Sequence, residues 1–208
     1  MFQSLYNPNR TALTLNLNGT DDEFDAIYPR NLRRVSDRHF TPIAVAKKAA
    51  SFLATHRGAR ILDVGSGAGK FCLVGAAATQ GHFVGVEQRE ELVLLSNALA
   101  GELRIDNVRF VHSNIMSVPF SDFSAFYLFN PFFENVRSHE RMDDSVLMNP
   151  SLFNSYTSYT RTQLSAMPDG TRVATYYTSP SLIPPGYERV DASADGHLLF
   201  WQKRNSYS

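Results

Sequence analysis

Cysteine is nearly absent from this chain. Cys72 is the only one, so no intramolecular disulfide framework holds the fold together. Neither sign of charge is in excess, with 20 Lys+Arg against 20 Asp+Glu. No global field therefore draws a polyanion to the whole surface, although Arg30, Arg33, Arg34 and Arg38 form a local basic patch. No apolar run approaches the roughly 18 residues that a membrane-spanning helix requires, so no membrane partner is expected. Met1-Phe2-Gln3-Ser4-Leu5-Tyr6-Asn7-Pro8 lacks the charged start and apolar core of a signal peptide. No Cys or His cluster has ligand spacing, so no metal is expected. A cytoplasmic enzyme without repeats, linkers or low-complexity tracts is the default expectation, and its oligomeric state is left open.

What is present is an ordinary globule: 208 residues, 43% hydrophobic, with room for one α/β domain and a short elaboration. Its most informative stretch is Ile61-Leu62-Asp63-Val64-Gly65-Ser66-Gly67-Ala68-Gly69. A buried strand ends there in an acid, and three glycines at alternate positions open a helix. Glycine lets the chain turn tightly and lets a ligand lie against the main chain. The helix start offers unpaired N–H groups and a positive dipole end. Glu87 ends the next apolar run, one strand–helix–strand unit later, where a carboxylate can take the two hydroxyls of a ribose. A dinucleotide fingerprint would place its third glycine at position 70, which is Lys70, so a pyrophosphate-binding loop is the poorer match.

Strands and helices alternate from there. Strands are expected at 60–64, 82–87, 108–112, 123–129, 172–177, 187–192 and 198–203, and helices at 70–79, 90–103 and 152–167. An earlier helix begins at Thr41-Pro42, with Thr as cap and Pro at the first helical position. This predicts a seven-stranded, mostly parallel, doubly wound sheet closed by an antiparallel last strand. Residues 41–208 make the domain and 1–40 an N-terminal extension that covers the pocket. Within the extension, Thr11 to Leu17 alternates as a short strand does, and Asp21-Asp22-Glu23 is expected as a solvated acidic loop.

The Asp63–Gly69 loop with Glu87 resembles the cofactor site of class I S-adenosylmethionine (SAM)-dependent methyltransferases, over about residues 40 to 204. The resemblance implies a Rossmann-like fold, SAM as cofactor, S-adenosylhomocysteine as product, and methyl transfer as the activity. It implies cofactor contacts from Asp63, Gly65, Ser66, Gly67, Gly69, Glu87 and Gln88. Asn114 and Ile115 would hold the adenine, and Asn130 and Thr41 would complete the site. After the fourth strand, Asn130-Pro131-Phe132-Phe133 is similar to the Asn-Pro-Pro-Tyr motif of amino-group methyltransferases, with Phe132 in place of the second Pro. Phe129 to Val136 also resembles the histone-lysine methyltransferases of the disruptor-of-telomeric-silencing type. Both resemblances imply that Asn130 orients the acceptor and Phe133 walls its pocket.

A protein lysine ranks first as acceptor, a small-molecule amine or hydroxyl second and nucleic acid third. A turn that packs two phenylalanines into the core remains the structural alternative for 130–133. His39, His112 and His139 lie near loops and suit an oxygen nucleophile. The stretch 132–159, rich in charges and aromatics, is read as a lid or a solvated helix. The rival functions are a non-catalytic SAM-binding module, aminopropyl transfer and a nicotinamide oxidoreductase.

Overall fold

The computed structural model describes residues 15–137, 142–143 and 145–204. Seven strands form one sheet: β1 Arg60–Val64, β2 His82–Glu87, β3 Val108–His112, β4 Ala125–Phe129, β5 Arg172–Tyr176, β6 Tyr187–Ala192 and β7 Leu198–Lys203. Their order is β3-β2-β1-β4-β5-β7-β6, and β7 alone runs antiparallel to its neighbours. The expected architecture is therefore present. Strand order reverses between β1 and β4, and the ends of these two strands and of β2 define the cleft.

Alternation along the strands feeds two cores. Ile61, Ala125 and Tyr127 point to one face, where they meet α4 Ile43–Leu53, α5 Lys70–Ala78 and α6 Glu90–Glu102. Leu62, Val64, Phe126 and Leu128 point to the other face, packed under α7 Pro150–Ser165 through Tyr156 and Leu164. Burial on both faces is why β1 and β4 read as unbroken apolar runs rather than alternating ones.

Three features differ from expectation, all towards the N-terminus. Asp21-Asp22-Glu23 is not a solvated loop but the start of α1 Asp21–Asp25, closed by a capping box between Thr20 and Glu23. Thr41 does not cap α4: Pro42 holds the cap position, and the first helical N–H, that of Ile43, donates to Asp21 Oδ1 at 2.8 Å. Leu15 to Leu17 forms no strand but packs as irregular chain on the core, while 11–14 lie outside the described residues. Two more short helices follow, α2 Arg30–Arg33 and α3 Ser36–His39. Phe24, Tyr28, Leu32 and Phe40 bury their side chains against the sheet side, so this segment is fastened to the domain. No helix among the described residues is long and apolar enough to cross a membrane.

Candidate active site

The glycine loop is built by backbone conformations that side chains disfavour. Gly65, Gly67 and Gly69 have φ of 78°, 53° and 82°. Gly69 is also pressed from outside, because a Cβ there would stand 2.5 Å from the Phe110 ring. The next residue, Lys70, is only 3% exposed. Its Nζ sits 2.7 Å from both Asp21 Oδ1 and Asp25 Oδ1, so the position that excluded a dinucleotide loop anchors α1 instead.

Glu87 holds the loop from β2. Its Oε2 accepts from the Gly67 N–H at 3.0 Å, and its Oε1 accepts from the N–H groups of Gln88 and Arg89 at 2.8 and 3.0 Å. Asp63 lies deeper. It is buried beneath the loop and accepts from the Cys72 thiol at 3.4 Å. Burial pushes its carboxyl up to about 7, the Cys72 bond opposes this, and nearby Glu87 adds to it.

A cleft of about 180 Å³ opens above the loop. Gly65, Gly67, Glu87, Gln88, Ser113 and Ile115 line one end, and Phe129, Asn130, Pro131, Phe132 and Phe133 line the other. Of the expected cofactor residues, five do not line it: Asp63, Thr41, Ser66, Gly69 and Asn114. The Thr41 hydroxyl pairs with Tyr127 Oη at 3.0 Å, and Ser66 Oγ is buried without a hydrogen-bond partner among the described residues. The Asn114 amide caps a short turn through Met116 N and donates to Tyr156 Oη at 2.9 Å.

Asn130 has φ of 38° and Phe132 of 69°, a strained pair that throws the loop back over the cleft. The Asn130 N–H is fixed by Tyr176 O and Thr178 Oγ1, and its side-chain amide has no hydrogen bond among the described residues. Phe133 lies under the Arg137 guanidinium, 4.9 Å from ring centroid to charge.

Arg89 and Met142 went unread in the sequence, while Arg38 and His39 were read there only as part of a basic patch and as a histidine near a loop. Arg38 and His39 reach the cleft from α3, and His39 Nδ1 stands 3.7 Å from Glu134 Oε1. Arg89, 6% exposed, joins β2 to the far segment: its Nη2 meets Glu134 Oε2 at 2.5 Å and its Nε meets Asp143 Oδ1 at 3.0 Å. Burial works against this charge, but Glu134, Glu87 and Asp143 outweigh it and hold the guanidinium above its ordinary pKa. The Met142 N–H also donates to Glu134 Oε2, and the Met142 side chain faces Gly67. The available signal was Arg89 itself, the second residue beyond the strand-end acid. His112 bonds Gln88 O away from the cleft, and His139 lies outside the described residues.

Comparison with known proteins places residues 55–149 as a match to the methyltransferase domain family. A stretch of 55 residues is 46% identical to a tRNA (guanine-N(7)-)-methyltransferase of Synechococcus sp. (strain JA-3-3Ab), covering 26% of this chain and 23% of that protein. The chain thus spans less than a quarter of the length of that curated relative. Among solved structures, TrmN from Thermus thermophilus superposes with a TM-score of 0.59 at 19% identity, over 85% of this chain and 53% of that one. An RNA methyltransferase from Salinibacter ruber, bound to S-adenosyl-L-homocysteine, superposes with a TM-score of 0.56 at 17% identity, over 81% and 95%.

Proposed function

We propose, from the class I SAM-dependent methyltransferase domain this chain carries, that it binds SAM against the Gly65–Gly69 loop and methylates a nitrogen of an RNA base. One observation carries this reading. A single cleft is lined by the glycine loop and Glu87 at one end and by Asn130 to Phe133 at the other, so cofactor and acceptor would share it.

The residues present suit the cofactor. Gly65 and Gly67 leave main chain bare at the cleft floor. Among the described residues Glu87 Oε2 accepts one backbone N–H, and a carboxylate oxygen has room for a further donor such as a ribose hydroxyl. Ser113 and Ile115 bound the place of an adenine, with Asn114 acting behind them through Tyr156.

SAM, when bound, supplies a methyl already activated on a sulfonium. The chain's own residues are therefore asked for alignment and a dry site rather than for a strong base. The Asn130 amide, without a hydrogen bond among the described residues, can orient an acceptor nitrogen, and Phe132 and Phe133 present flat walls that suit a planar ring. Glu134 and His39 beside them can take the proton that an amino acceptor sheds.

The names of the similar proteins support a base over the lysine ranked first from sequence, and so do the aromatic walls. Protein lysine is the second reading, favoured by the likeness of Asn130 to Val136 to histone-lysine enzymes and by Glu134, which suits an ammonium.

The test incubates the protein with methyl-labelled SAM and, separately, bulk RNA, a protein fraction and a small-metabolite fraction. Label in RNA is the expected outcome. Label in protein alone overturns the RNA reading in favour of lysine, and bound SAM with no label in any fraction indicates a non-catalytic module.

A further inference from the structure

The chain places four arginines within nine residues: Arg30, Arg33 and Arg34 on and just after α2, and Arg38 on α3. Asp37 is the only acid between Arg30 and Phe40. All four arginines are exposed, and none makes an ion pair among the described residues. Arg30 stands three and four positions from Arg33 and Arg34, the spacing at which like charges on a helix repel. No ion pair among the described residues offsets that repulsion. What α2 contributes to the fold is Leu32, which is buried. The patch is continuous with the active site, because Arg38 is itself part of the cleft wall beside His39.

A second observation lies past the carboxyl end of β5. Tyr177 is 52% exposed although its backbone is held at φ of 47°, a conformation that a bulky side chain rarely adopts. Its ring stacks on His197 at 4.2 Å and meets Tyr176 edge-on at 4.7 Å. Tyr176 in turn contacts Phe129, which lines the cleft. An aromatic ledge thus leads from the acceptor end of the cleft out to solvent.

We propose that these two features are the docking surface for a single-stranded or looped segment of RNA, with phosphates on Arg30, Arg33 and Arg34 and a flanking base on Tyr177. The proposal rests on the methyltransferase reading above and names the macromolecule that carries its acceptor. A basic patch and an exposed aromatic that both lead to one cleft are the combination that single strands require, since every base has a face to stack and every nucleotide a phosphate. The overall neutrality of the chain is compatible with it, because the field that matters is local.

Bulk tRNA is the probe, bound by fluorescence anisotropy across a salt series without SAM. Wild type is expected to bind with a steep salt dependence. The triple variant Arg30→Ala, Arg33→Ala, Arg34→Ala should weaken binding at least tenfold and lower the log–log salt slope by about 2, the value for three lost phosphate contacts. Tyr177→Ala should weaken binding about tenfold with the salt slope unchanged. Both variants should keep the wild-type shift in melting temperature with SAM, which shows that they fold and hold the cofactor.

Wild-type RNA affinity and slope in the triple variant would overturn the proposal. So would equal binding of polyglutamate, which would mark the patch as a site for acidic peptide. A wild type that ignores tRNA yet labels another acceptor refutes the docking surface alone. A wild type with no response to SAM refutes the reading beneath it.

Discussion

At Asp63 the residue identity was legible and its position was not. A strand-end acid before a glycine loop reads as a cofactor contact, but the structure buries it under the loop, where it accepts from Cys72. Nothing in the motif's spacing says whether the acid faces the cleft or the core. The consequence is measurable through pH. Its carboxyl is raised from 3.8 to about 7, so the folded state binds a proton more tightly than the unfolded chain does. That contribution is complete below about pH 4 and is lost as pH rises through 7, so stability should fall across this window, by up to about 4 kcal/mol. Asp63→Asn keeps the acceptor for Cys72 and removes the titration. Its melting temperature should vary less between pH 4 and 7 and should exceed wild type at pH 8. Parallel curves for the two proteins would remove Asp63 from the account.

Among the elements, β1, β2, β4 and β5 were legible because burial on both faces writes itself as nearly continuous apolar sequence. The N-terminal helices were not. Each of α1 to α3 is only four or five residues long, too short to show a helical period, and each is held by distant partners rather than by its own pattern. Asp21 illustrates this, since it serves both Ile43 N–H and Lys70 from far along the chain. The segment after β4 follows the same rule. Arg89 ties Glu134 and Asp143 within it to the end of β2. Arg89→Ala would remove the guanidinium that lies between these acids and Glu87. We expect a loss towards the low end of about 3–5 kcal/mol, because Asp143 is well exposed. Limited proteolysis should then cut within residues 132–149 faster than in wild type. Unchanged cleavage there would mean that the ion pairs do not fasten the segment.

On the scale of the whole molecule, the sheet order brings four strand ends to one cleft. The loops after β1, β2, β3 and β4 supply, in turn, the glycines, Glu87, Ser113 with Ile115, and Asn130 to Phe133. That convergence followed from the alternation of elements and was legible in the sequence. The inward reach of Arg89 was not, because it depends on packing between segments far apart in the chain. The central claim is that Asn130 serves the acceptor and not the cofactor or the turn. Losing one orienting bond to a buried polar group costs about 1–3 kcal/mol, or about ten- to a hundredfold in rate. The decisive measurement is methyl transfer per folded molecule by Asn130→Ala, with its SAM affinity and melting temperature determined on the same preparation. The account predicts near-wild-type SAM affinity and stability with turnover reduced about ten- to a hundredfold. An unstable variant with full turnover per folded molecule would contradict it.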